Sequence, residues 1–91
     1  MAQTNFGYAH LSAAGTFTVA QRLGTLHNIV INNAGTGATV TVYDNTAGSG
    51  AVIAAITPVA GGNYCYDVEY NNGLTFVVAG TTAPDITVAF G

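Results

Sequence analysis

Between residues 15 and 90 the chain is a succession of short runs rich in Val, Ile, Thr, Tyr and Phe. Clusters of Gly, Asn, Asp and Ser interrupt them. No segment keeps apolar residues at helical spacing for the roughly 10–12 residues that a helix needs. Strong helix formers such as Glu, Lys, Arg, Gln and Met are scarce. β-branched and aromatic residues fit a pleated surface, so this pattern predicts an all-β chain.

Seven runs have strand length: "GTFTVA" (15–20), "TLHNIVIN" (25–32), "ATVTVYD" (38–44), "AVIAAIT" (51–57), "NYCYDVEY" (63–70), "LTFVVAG" (74–80) and "DITVAF" (85–90). Several alternate with the two-residue period of a half-buried strand. Phe17 and Val19 oppose Thr16 and Thr18; Val40 and Val42 oppose Thr39, Thr41 and Tyr43; Ile86, Val88 and Phe90 share a face. In 63–70, Tyr64, Tyr66, Val68 and Tyr70 face one way and Cys65, Asp67 and Glu69 the other. Ile29-Val30-Ile31 is apolar on both faces, which predicts a strand inside a sheet covered on both sides. "AVIAAIT" is continuously apolar until Pro58.

Turn chemistry sits between the runs. "NNG" (71–73) predicts a hairpin, because Asn and Gly accept the positive φ of hairpin turns. "NNAGTG" (32–37) and "AGG" (60–62) supply similar chemistry. Six to seven short strands at spacings of about ten residues predict an antiparallel β-sandwich, jelly-roll-like or immunoglobulin-like, over residues 15–91. Residues 1–14 lack a clear pattern and are expected to form an N-terminal arm that orders against a neighbour.

Charge bears on partners. Only 5% of the 91 residues are charged: Arg22 alone against Asp44, Asp67, Glu69 and Asp85, for a net charge of −3. Ordinary soluble domains carry about 25%. With 49% hydrophobic residues, part of the surface is expected to be covered by further copies or by a larger assembly. A chain without Lys cannot build the cationic face that nucleic acid requires, and an anionic membrane surface would not attract it. Residues 46–66 are uncharged but hold four Gly, a Pro and several polar residues, so they are not a spanning helix. "MAQTNFGYAHLSAAG" has neither a basic start nor a continuous apolar stretch, so no secretion signal is expected. The single Cys65 cannot form an internal disulfide.

The candidate chemistry is thin. "DNTAGSG" (44–50) resembles a ligand loop, but lacks the Lys and following helix of a phosphate cradle. Its one carboxylate, Asp44, is too few for calcium. Asp67 and Glu69, two apart on a strand, would lie about 7 Å from each other, the spacing of a glycosidase pair. Without a concave apolar site they read instead as solvated edge carboxylates. His10 and His27 have no acidic or Cys neighbour at ligand spacing, and Ser12 and Ser49 sit in no nucleophile motif. No catalytic residue, metal ligand or cofactor is therefore expected. Tyr64, Tyr66 and Tyr70, with Tyr43, could pack the core, anchor a protein interface or form a stacking platform for a glycan.

The stretches "LHNIVINNAGTGATVTVYDNTAGSGAVIAAITP" and "YDVEYNNGLTFVVAGTTAPDITVAF" resemble small tailed-phage virion proteins of the capsid decoration (cement) type, over roughly residues 22–90. The resemblance implies a non-enzymatic β-sandwich, often trimeric, that binds the major capsid protein on the outer capsid surface of the virion and reinforces it. It carries no catalytic residues. A small tail or neck component and a glycan-binding module are the alternatives. On this reading the apolar strands pack subunits together, with Ile29, Ile31, Val52, Ile53, Ile56, Tyr64, Tyr66 and Tyr70 as the candidate interface.

Overall fold

A computed structural model describes residues 7–91 and shows eight strands with no helix among them. They are β1 (Gly7–Leu11), β2 (Gly15–Ala20), β3 (Gly24–Asn33), β4 (Thr39–Tyr43), β5 (Val52–Ile56), β6 (Asn63–Tyr70), β7 (Leu74–Ala79) and β8 (Asp85–Phe90). Two antiparallel four-stranded sheets form, one ordered β1-β8-β3-β6 and the other β2-β7-β4-β5. Consecutive strands alternate between sheets everywhere except β4–β5, which pair directly. This is the eight-stranded jelly-roll arrangement of two interlocked Greek keys, which settles the choice left open by the strand pattern.

The seven expected runs all form strands, and the eighth is β1. It lies within the stretch expected to be an arm. Residues 7–11 pair with β8 from Gly7↔Phe90 to Leu11↔Ile86, while residues 1–6 of that stretch lie outside the described residues. β1 escaped the sequence reading because only Leu11 in "GYAHL" is a strong apolar anchor, and that side chain is buried.

The "NNG" turn does not close a hairpin. It carries the chain from β6 in one sheet to β7 in the other. The two loops 32–37 and 60–62 cross between sheets in the same way. Positive φ serves an arch as well as a hairpin, and Gly73 has φ of 158° here, close to extended. Gly35 is different: φ is +68°, and a Cβ there would collide with the Thr82 carbonyl. Only glycine permits that approach, which lets Thr36 of the β3–β4 loop and Thr82 of the β7–β8 loop form a bridge.

The core lies between the sheets. Leu26, Ile29, Ile31, Ile86 and Val88 enter from one side, and Val40, Val42, Leu74, Phe76 and Val78 from the other, all essentially sealed from solvent. Ile29 and Ile31 alternate with the half-buried Val30, so β3 is central in its sheet but covered by the core on one face only. A bulge explains how Leu26 and Ile29 both point inward. Strict alternation would put residues three apart on opposite faces. Against β8, Leu26↔Phe90 is followed by Asn28↔Ala89, so His27 is an extra residue that resets the register. β6 answers with its own extra residue. Leu26↔Val68 is followed by Asn28↔Cys65, and Asp67 takes a left-handed φ of 48° there.

Candidate interaction surfaces

The four candidate-interface residues Ile29, Ile31, Ile56 and Tyr70 are core residues, 0 to 6% exposed, and are not available to a partner. Tyr64, Tyr66 and Ile53 are half-buried and pack against the same core. Val52 alone of the set is well exposed, at 56%. Apolar side chains on alternating strands satisfy one another inside a single sandwich, so an interface was not needed to explain them.

The tyrosines do not build a platform. Tyr64, Tyr66 and Tyr70 turn toward the core from β6, whereas Tyr43 lies on β4 in the opposite sheet. Burial raises the phenol pKa of Tyr66, with Tyr64 adding to the effect, and burial likewise raises that of Tyr70. The glycan reading loses the aromatic surface on which it rested.

The loop 44–51 is pinned at several points. Asp44 Oδ1 accepts the backbone N–H groups of both Asn71 and Asn72 at 2.8 Å, so this carboxylate caps the β6–β7 arch. Thr75, fully buried, donates its hydroxyl to the Asn45 carbonyl at 2.8 Å. Its own oxygen is then an acceptor for Thr18, whose proton is shared between Thr75 and the Thr46 carbonyl. Asn45 donates to the Ser49 carbonyl at 2.7 Å, closing the loop on itself. A Cβ on Gly48 would press on Val77 and Thr16, so the loop lies directly on the outer face of the β2-β7-β4-β5 sheet. The Asp44 and Asn45 side chains, two of the groups that suggested a ligand loop, are bonded within the fold.

Two histidine–aspartate pairs were invisible to spacing rules, because their partners are 75 and 40 residues apart. His10 Nε2 donates to Asp85 Oδ1 at 2.5 Å, joining β1 to β8. Asn32 of β3 donates to the same carboxylate oxygen and to Thr87, both at 3.0 Å, so a polar ladder crosses three strands. The Asn32 amide and the His10 ring hold the Asp85 carboxyl below its ordinary pKa, against a small opposing effect of burial. His27 Nδ1 donates to Asp67 Oδ1 at 2.5 Å, across the doubled bulge of β3 and β6. That contact accounts for the left-handed Asp67: the bulge turns its carboxylate toward the ring. Asp67 is thereby engaged by His27.

A groove of about 660 Å³ lies at the end of the sandwich, bounded by Val19, Arg22, Leu23, Tyr70 and Phe90. None of Asp67, Glu69, His10 or His27 borders it. Among the described residues no three His, Cys, Asp or Glu side chains converge as metal ligands would. No helix among the described residues is long and apolar enough to cross a membrane.

A division of charge emerges that no single strand reveals. His10, His27, Asp67, Glu69 and Asp85 all belong to the β1-β8-β3-β6 sheet. The strands β2, β7, β4 and β5 contain no Asp, Glu, Lys, Arg or His at all. Fold and surface together define a small jelly-roll sandwich with one charged and one neutral sheet. No family model matches the chain, and no curated protein does so either.

Proposed function

We propose that this protein is a non-enzymatic structural subunit, which associates with its own copies and docks on the outer surface of a larger protein shell to reinforce it. The neutral sheet carries this reading. A free 91-residue globule keeps itself apart from its neighbours with interspersed charges of both signs. Here a whole sheet lacks them, and its β5 border exposes Val52. The pinned 44–51 loop supports the same view, since its Asp44 and Asn45 side chains are bonded within the fold.

The kind of shell is supplied by the resemblance of residues 22–90 to tailed-phage virion proteins of the decoration type. On that reading each contact with the major capsid protein is modest, and many copies together stiffen the lattice. Immunogold electron microscopy of the source particle is the direct test. Label over the outer capsid is the expected result. Label confined to the tail or neck, or none on particles, would overturn the decoration role.

A further inference from the structure

We propose that the groove at the end of the sandwich is a docking site for a protein segment that presents one carboxylate beside an apolar side chain. The inference rests on the proposed docking to a shell protein and assigns it a surface and a ligand chemistry.

Two polar side chains border that groove with no bond to the rest of the fold. Arg22, the only Lys or Arg of the chain, lies between β2 and β3 and pairs with no described residue. Tyr70 is 2% exposed, and its hydroxyl has no hydrogen-bond partner among the described residues. Its ring is closed to a partner, but its oxygen is not. No buried side-chain oxygen or nitrogen is left unsatisfied among the described residues, so this hydroxyl reaches open space, and the groove is the space that Tyr70 borders. A phenol without an acceptor adds nothing to the core. The chain nevertheless makes room for it: a Cβ on Gly24 would collide with the Tyr70 hydroxyl and the Gly91 carbonyl.

The lining selects the occupant. A guanidinium and a phenol both donate, so they call for an anionic acceptor, and a planar carboxylate matches the guanidinium fork. One cation balances a carboxylate but only half of a phosphate dianion. None of Asp44, Asp67, Glu69 and Asp85 borders the groove to oppose it. Gly91 does border it, with its N–H and carbonyl both held by Thr25. Val19, Leu23 and Phe90 supply apolar walls. Leu23 is 72% exposed, so covering it takes an occupant that continues past the groove, as a chain segment does and a small acid does not. Residues 1–6 lead into Gly7 at the groove but contain no Asp or Glu. A second copy is also a poor match: Asp44, Asp67 and Asp85 are held within the fold, and Glu69 is flanked by Val68 and Tyr70, which pack on the core. The carboxylate therefore comes from a different protein.

NMR titration of the intact, isotope-labelled chain tests this with three probes: acetyl-Leu-Glu-Phe-amide, acetyl-Leu-Gln-Phe-amide and phenylacetate. The expected result is saturable shifts at Leu23 and Phe90 with the Glu peptide, and binding about 10-fold weaker with the Gln peptide, as loss of a charge-assisted hydrogen bond predicts. Arg22→Gln and Tyr70→Phe should each bring the Glu peptide close to the affinity of the Gln peptide. Both variants should fold, since neither group bonds within the described chain, and thermal melts check this. Equal binding of the two peptides, or of the Glu peptide to the native chain and both variants, would overturn the carboxylate site. Phenylacetate binding as tightly as the Glu peptide would overturn the protein occupant. An absence of shifts at the groove would remove the site altogether, and immunogold label over the outer capsid would then leave shell docking standing through another face.

Discussion

Asp44 shows how a residue with the look of a ligand can serve the fold. Its carboxylate takes two backbone N–H groups of the arch at 71–72, which otherwise face loss of an acceptor. Asp44→Ala should lower stability by about 1–3 kcal/mol, whereas Asp44→Asn keeps an acceptor oxygen and should retain most of it. In a domain of this size each kcal/mol moves the Tm by roughly 4–8 °C, so a thermal melt resolves the two variants. Asp85 gives a pH signature. Its carboxyl is held below its ordinary value in the folded state. The ionised form therefore adds stability above the unfolded-state pKa, and that contribution disappears as pH falls through the lowered folded value. Urea melts of the native chain and Asp85→Asn should differ near neutrality and converge at the acidic end. Neither histidine partnership could be read from spacing, since each bond spans strands far apart in sequence.

At the scale of elements, alternation made the strands legible. Residues 15–20, 63–70 and 85–90 match their observed boundaries because each carries an uninterrupted two-residue period flanked by turn residues. The connections were less legible. Asn and Gly make a tight reversal possible, but whether it closes a hairpin or steps between sheets depends on what the two strands bury. β3 illustrates a second limit: the extra residue His27 realigns Leu26 with Ile29, and no local pattern announces a bulge. The contribution of inward faces can be measured at Phe76, fully buried in the middle of β7. Phe76→Ala should destabilise by about 3–5 kcal/mol, a large part of the total for a small domain, and denaturant titration reads it directly.

For the molecule as a whole, the separation of charge between sheets was hidden in a sequence whose few charges look merely scattered. It appears only when strand order assigns each residue to a sheet. The separation has a measurable corollary. Association through the neutral sheet should be nearly independent of salt, with a dissociation constant changing less than about two-fold between 20 and 500 mM NaCl, because screening acts on charge pairs. Association through the charged sheet would instead strengthen as salt screens the acids of like-charged copies. Sedimentation at the two ionic strengths separates these behaviours.

The position of β8 has a consequence for biosynthesis. This strand, the last of the eight, lies between β1, the first, and β3. Until β8 has emerged from the ribosome, β1 has no neighbour in its sheet, and β3 is paired on one side only. Only β4 and β5 can pair as a local hairpin beforehand. The β2-β7-β4-β5 sheet and the β3–β6 pair can form without it, but the other sheet stays split and its apolar inner face incomplete until β8 arrives. Such late, long-range closure favours slow folding and leaves sticky intermediates exposed.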